Sequence, residues 1–187
     1  MDDRVMKTLK EMLLDRGVKG ENFDTVSPAM DETRMYNFGG VLIIYSTKYR
    51  VLMNEFNNFI NFAKDNGYNN GVIIVSESTT SEKVLNALIN YIANKDNQLV
   101  QIFVYRSLYF NISKHRFVPT HKLLTSAEKT EVLKKYSAER LSRIESQDPM
   151  AKYIGARPGD IVEITGMCET TAWNERFRIC VAETTNG

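Results

Sequence analysis

The sequence predicts an α+β/α/β protein in two parts: an N-terminal α/β domain with a helix-covered sheet over residues 1–112, and a small C-terminal α+β domain over residues 113–187. Three observations carry that expectation. Short, continuous apolar runs alternate in the first part with segments of helical period, the pattern of strands buried on both faces. From Ser113 onward, helix caps and tight-turn signals replace the long apolar runs. The chain has 187 residues, 43% apolar and 25% charged, which suits one domain or two small ones.

Val5, Leu9, Met12 and Leu13 fall on one face at helical spacing, and Gly17 after Arg16 stops the helix. Residues 18–38 mix Gly20, Asn22, Ser27 and Pro28 with scattered charges and read as a connection. Val41-Leu42-Ile43-Ile44-Tyr45 is the first buried strand, and Leu52, Phe56, Phe59, Ile60 and Ala63 stripe the second helix, which ends at Asn66-Gly67. Val72-Ile73-Ile74-Val75 is the next strand. Thr79-Thr80-Ser81 offers hydroxyl N-caps to a third helix with Val84, Leu88, Tyr91 and Ile92 on its apolar face, and Leu99 to Val104 closes the sheet. Helices alternating with apolar strands argue for a layered α/β structure.

In the second part, Thr125-Ser126-Ala127-Glu128 is a capping box, starting a helix to about Tyr136. Asp148-Pro149 sets a carboxylate at an N-cap and proline in the first turn, where its missing N–H is harmless; that helix closes at Gly155. Arg157-Pro158-Gly159 fits a tight turn with glycine where a positive φ is needed. Strand Ile161 to Ile164 follows. Phe177, Ile179 and Val181 then alternate with Arg178, Cys180 and Ala182, giving a strand with one apolar face. Two short helices beside a small mixed sheet are expected.

Lys and Arg number 24 against 23 Asp and Glu, so no overall positive field draws this chain to nucleic acid, and any DNA contact must be local or assisted. The N-terminus lacks the apolar core of a signal peptide, and no run approaches the roughly 18 apolar residues of a membrane span, which predicts an intracellular protein. Cys168 and Cys180 have no second close pair, which suits neither a disulfide framework nor a paired-ligand zinc site. His115 has no partner at ligand spacing, and His121 reads as an edge histidine satisfied by backbone. No acidic metal triad, phosphate-cradling glycine loop or nucleophile–base pair is legible, so neither cofactor nor catalytic residue is expected.

The opening segment His121-Lys122-Leu123-Leu124-Thr125, the Lys134-Lys135-Tyr136 helix end, Asp148-Pro149-Met150-Ala151-Lys152-Tyr153-Ile154-Gly155, the Arg157-Pro158-Gly159 turn and the Phe177-Arg178 strand resemble subunit five of eukaryotic nuclear RNA polymerases. The assembly domain of that subunit corresponds to a small subunit of the archaeal polymerase. The resemblance covers about residues 114 to 181. The first part is similar more loosely: Leu14-Asp15-Arg16-Gly17-Val18 matches the family's Asp-Arg-Gly, and Ser78 to Lys83 sits where the family has Thr-Pro-Ser-Ala. Phe110-Asn111-Ile112-Ser113-Lys114-His115 resembles its Ile-Asn-Ile-Thr-Glu-His junction. Departures include Leu141-Ser142-Arg143-Ile144 for Leu-Pro-Arg-Ile. Gly166 to Asn174, around Ala172-Trp173-Asn174, lacks two arginines of the family pattern, and Glu82 adds negative charge to the jaw loop.

This resemblance implies a non-catalytic subunit of DNA-directed RNA polymerase. Its C-terminal domain would dock on the largest subunit, and its N-terminal domain would form part of the lower jaw near downstream duplex DNA, without sequence specificity. Nuclear location follows, or a viral factory or virion for a viral version. The expected DNA contacts are Thr79, Thr80 and Ser81, through hydroxyls and helix N-terminal N–H groups, with Lys83 adding charge; the alternative is that they are N-cap residues only. Arg143, Asp148, Pro149, Arg157 and Arg178 are the docking candidates, although capping chemistry alone accounts for Asp148 and Pro149. Two rival functions compete. A restriction-endonuclease-like nuclease needs an acidic residue two positions before a lysine, and no lysine in the chain has one. A free-standing transcription adaptor is compatible with the same fold.

Overall fold

Residues 1–27, 30, 32–168 and 171–182 are described by a computed structural model of the chain, apart from the side chains of 167, 168 and 171–174. Pro28 and most of the Gly166 to Asn174 departure, with the Cys168 side chain, therefore lie outside the described residues. The chain separates into two units, Met1–Phe110 and Asn111–Gly187.

In the first unit, α1 (Asp3–Asp15) starts at Asp2, whose carboxylate accepts from the Arg4 N–H. It ends at Arg16, with Gly17 at φ +79°. Strands β1 (Asp24–Val26), β2 (Thr33–Phe38), β3 (Val41–Ser46), β4 (Val72–Ser76) and β5 (Val100–Val104) form one sheet in that order. Helix α2 (Met53–Asp65) joins β3 to β4, and α3 (Glu82–Ala93) joins β4 to β5. The β3–β4 and β4–β5 pairs are parallel, as their helical crossovers require, whereas β1–β2 and β2–β3 are antiparallel.

Leu42, Ile44, Val72, Ile74, Val100 and Ile102 pack with the apolar stripes of α2 and α3 in one core. The intervening residues of β3 and β4, including Ile43 and Ile73, are buried as well. Gln101 alternates with Val100 and Ile102 and so faces away from α2 and α3, where its Oε1 accepts from the Arg16 guanidinium at 2.7 Å. That bond places α1 on the second face of the sheet and explains why β3 and β4 are apolar on both sides.

The expectation of a connection over residues 18–38 is corrected by β1 and β2. Their pattern is weak because an edge hairpin buries little: only Met35 and Phe38 of β2 are buried. The signal for the hairpin was Gly39-Gly40. Both residues have positive φ, +55° and +82°, as a two-residue turn matched to sheet twist demands.

In the second unit, β6 (Thr120–Leu123), β7 (Ser142–Glu145), β8 (Ile161–Cys168) and β9 (Thr171–Val181) form a mixed sheet in the order β6-β8-β9-β7. Only the β7–β9 pair is parallel. Helices α4 (Ser126–Lys135) and α5 (Pro149–Ile154) complete it. Strands β6 and β7 left no legible pattern, being four-residue edges; β7 buries only Ile144. The apolar face expected for the last strand is the less buried one. Phe177, Ile179 and Val181 are half-buried, while Cys180 on the other face is 1% exposed and packs with Ile144, Ala151, Ala156, Val162 and Ile164 under α5. Phe177 meets Tyr136 beyond the end of α4, ring centroids 6.3 Å apart. Phe177, Ile179 and Val181 are themselves only partly covered, so the alternation in β9 distinguishes a fully buried side from a half-buried one.

Candidate functional site

Two surfaces, one in each unit, hold the residues singled out from the sequence. In the first, β4 leaves the sheet at Ser76, whose buried hydroxyl donates to the Ser78 carbonyl at 2.7 Å and turns the chain toward α3. This is the carboxyl end of the parallel strands, where open α/β sheets present their loops for binding. Thr79, Thr80 and Ser81 follow in sequence, Thr79 exposed and Thr80 and Ser81 half-buried, and Glu82 and Lys83 are exposed in the first helical turn. Ser81 is the N-cap of α3 by its backbone (φ −70°, ψ 154°), yet no side-chain hydrogen bond caps the helix. The hydroxyl-capping expectation is thereby corrected. The first-turn N–H groups of α3 receive no hydroxyl from this cap position, which leaves them oriented for an external acceptor.

A clamp that sequence could not disclose lies beside this loop. The Tyr45 hydroxyl at the end of β3 donates to Glu77 Oε1 at 2.5 Å. Burial, reinforced by the Glu77 carboxylate, pushes the Tyr45 phenol up to about 12. The Tyr45 ring lies 5.2 Å from Tyr105, Tyr105 lies 5.5 Å from Tyr109, and the Arg4 guanidinium sits 4.8 Å over Tyr109. The Asp2 N–H donates to the Tyr105 hydroxyl. Glu77 is thus held in the loop, and with Glu82 it outweighs the single cation Lys83. Such a loop can offer N–H and O–H donors to a phosphate but has no charge surplus to attract DNA by itself.

In the second unit, Asp148 Oδ1 accepts from the N–H groups of Met150 at 2.8 Å and Ala151 at 3.2 Å, and Pro149 occupies the first turn of α5. Gly155 ends the helix in the left-handed region at φ +75°. The Asp160 carboxylate accepts from the Arg157 N–H at 2.9 Å, and the Asp160 N–H donates to the Arg157 carbonyl, closing the predicted turn around Gly159 at φ +85°. Gly159 N–H and Cys180 N–H bond across to Cys180 and Asp160 carbonyls, tying that turn to β9.

The docking candidates do not form one patch. Ser142 pairs with Arg178, and Arg143 with Ile179. Because neighbouring residues on a strand point to opposite faces, Arg178 shares the α5 face with Cys180, whereas Arg143 lies on the opposite face with Ile179. Arg143 is exposed; Arg157 and Arg178 are half-buried.

A charge network at the start of α4 was also missed. Thr125 and Glu128 form the capping box, and Lys122 donates to Glu128 at 2.6 Å while standing 3.8 Å from Glu163. The Lys122 bond, then the Thr125 N–H, hold the Glu128 carboxyl down at about 2. Burial, and a hydrogen bond with Glu175, push Glu163 up. Among the described residues no three His, Cys, Asp or Glu side chains come together as a metal cage.

Residues 110–180 match the family described as RNA polymerase Rpb5, C-terminal domain. Over 143 residues the chain is 31% identical to the DNA-directed RNA polymerases I, II, and III subunit rpabc1 of Dictyostelium discoideum, spanning 75% of this chain and 72% of that protein. It is 32% identical over 117 residues to DNA-directed RNA polymerase V subunit 5A of Arabidopsis thaliana, 58% of this chain and about half (52%) of that protein's length. It is 40% identical over 76 residues to DNA-directed RNA polymerase subunit Rpo5 of Pyrococcus abyssi, 40% of this chain but 93% of that protein.

Proposed function

Because the chain belongs to the RNA polymerase subunit 5 family, a structural and not a catalytic subunit, we propose that it docks on the largest subunit of a multisubunit DNA-directed RNA polymerase through residues 111–187. Residues 1–110 then form part of the lower jaw, close to downstream duplex DNA. The observation that carries this reading is the Pyrococcus relative, a polymerase subunit 93% of which is matched by 40% of this chain. One short module therefore suffices for membership of that enzyme, and the rest of this chain is free for another task.

The local physics agrees. A near-neutral protein with an acidic jaw loop has no field to find DNA from solution. Held beside a duplex by docking elsewhere, the same loop can position phosphates with Thr79, Thr80, Ser81 and the α3 N–H groups, without reading bases. Nuclear residence and partnership with the other polymerase subunits follow from the same reading.

Purification through high salt tests the docking. The chain should co-elute in fixed stoichiometry with the two large catalytic subunits, whereas a substoichiometric, salt-labile association would favour a free-standing adaptor. For the jaw contact, Thr79/Thr80/Ser81→Ala in the assembled polymerase should weaken downstream-duplex retention equally on unrelated sequences. Unchanged retention at low salt would remove the loop from the DNA path.

A further inference from the structure

Glu77 is an acid placed where a phosphate contact has least use for one. It stands two residues ahead of Thr79 and four ahead of Ser81, the backbone N-cap of α3. A carboxylate and a phosphate are drawn to the same partners, the hydroxyls and N–H groups at a helix start. The carboxylate is also tethered beside them, at the high effective concentration of a group on a short linker. Set free, it would hold those donors ahead of any duplex.

At the other two helix starts of this unit, neighbouring carboxylates do bind the backbone. Asp2 Oδ1 accepts from the Arg4 N–H at 2.9 Å where α1 begins, and Glu55 Oε2 accepts from the Leu52 N–H at 2.9 Å where α2 begins. Glu77 is engaged elsewhere. The Tyr45 hydroxyl donates to its Oε1 at 2.5 Å, the length of a strong charge-assisted bond.

Tyr45 lies on the far side of the sheet from α3. Leu42 and Ile44 of β3 pack with Val84, Leu88 and Ile92 of α3, so Tyr45, the next residue after Ile44, points to the opposite face. There its ring lies 5.2 Å from Tyr105, whose own hydroxyl accepts from the Asp2 N–H at 2.9 Å at the start of α1. Tyr45 is therefore a braced post that draws the Glu77 side chain toward α1. The backbone on either side of Glu77 is fixed as well, by the Ser76 hydroxyl donating to the Ser78 carbonyl at 2.7 Å.

We propose that Tyr45 is a positioning residue for the jaw loop: it holds the Glu77 carboxylate on the α1 side of the sheet, so that the donors of Thr79, Thr80, Ser81 and the first turn of α3 stay open to a duplex phosphate. This rests on the jaw contact proposed above and adds what keeps that contact open. Tyr45 itself touches no DNA. Removing its hydroxyl releases a competing anion into the loop, and removing the Glu77 charge makes the hydroxyl dispensable.

The test uses polymerase assembled with each variant and follows retention of a fluorescein-labelled downstream duplex at about 50 mM salt. Tyr45→Phe, which keeps the ring and its packing, should weaken retention about fivefold. Glu77→Gln and Tyr45→Phe/Glu77→Gln should both retain the duplex at least as well as the wild type. A tyrosine that only supported the fold would cost the same in either Glu77 background. In the free full chain, Tyr45→Phe should slow hydrogen exchange at the first-turn amides of α3 as Glu77 engages them, and the double variant should not. Wild-type retention by Tyr45→Phe, an equal loss in the double variant, or unchanged exchange in Tyr45→Phe would each overturn the role of Tyr45 while Thr79/Thr80/Ser81→Ala still weakened retention. Retention unaffected by that triple substitution would instead remove the jaw contact itself, and the role of Tyr45 with it.

Discussion

Asp148→Ala and Asp148→Asn separate two roles for one residue, helix cap and docking charge. The Asp148 carboxylate accepts two backbone N–H groups through one oxygen, at 2.8 and 3.2 Å, and the residues that donate them are Met150 and Ala151. Both are buried, at 7% and 0% exposure, so water cannot easily replace the lost acceptor. Alanine therefore loses a cap and strands two amides in the second unit's core, a cost of about 2 kcal/mol, the upper end for N-cap deletions. Asparagine keeps an oxygen in place and should cost only about 0.3 kcal/mol. Urea unfolding of the full chain followed by circular dichroism reads the loss. With an m-value of about 1 kcal/mol per M, the alanine midpoint should fall by about 2 M and the asparagine midpoint by only about 0.3 M. Asparagine should also co-elute with the polymerase as the wild type does. If asparagine proves as damaging as alanine in either assay, the negative charge matters and not the capping oxygen, and the helix-start account of Asp148 fails.

Two further expectations follow from the geometry. Gly39→Ala should destabilise the first unit by about 1–3 kcal/mol, since φ is +55° there and a Cβ would stand 2.3 Å from the Lys19 carbonyl oxygen; an unchanged melting temperature by circular dichroism would contradict the observed hairpin. Glu128 has an ordinary value of 4.5 that falls to about 2 in the folded chain, so its partners stabilise the fold fully above about pH 4.5, and the contribution disappears as pH drops from there toward 2. Glu128→Gln should flatten the acid limb of the urea midpoint across that window, and an unaltered limb would show that the Lys122 and Thr125 bonds do not set it.

Much of the fold was legible because its signals are local. The parallel strands β3, β4 and β5 are apolar runs, α1 to α3 carry their stripes, and the caps at Thr125 and Asp148 need only residues within one helical turn. Strands β1, β2, β6 and β7 were missed for the opposite reason. They are short strands of three to six residues that bury one or two side chains at most, so their identity comes from the neighbour they pair with. The candidate sites divide in the same way. The jaw loop and the docking arginines were visible as residue types. The Tyr45–Glu77 clamp, 32 residues apart, and the Lys122–Glu128–Glu163 network required the strands to be in register.

By itself the sequence determined where helices start and stop, which strands are fully buried, that the protein's net charge gives DNA no long-range attraction, and which family it resembles. All of these depend on neighbours in the chain or on totals that folding does not alter. Only the tertiary structure decided that Cys180 and not Phe177 faces the α5 core, and that Arg143 and Arg178 lie on opposite faces of one sheet. It also decided that the α3 N-terminus has no side-chain cap. A strand's alternation says only that two faces differ; which face meets which partner is settled by contacts between segments far apart in sequence.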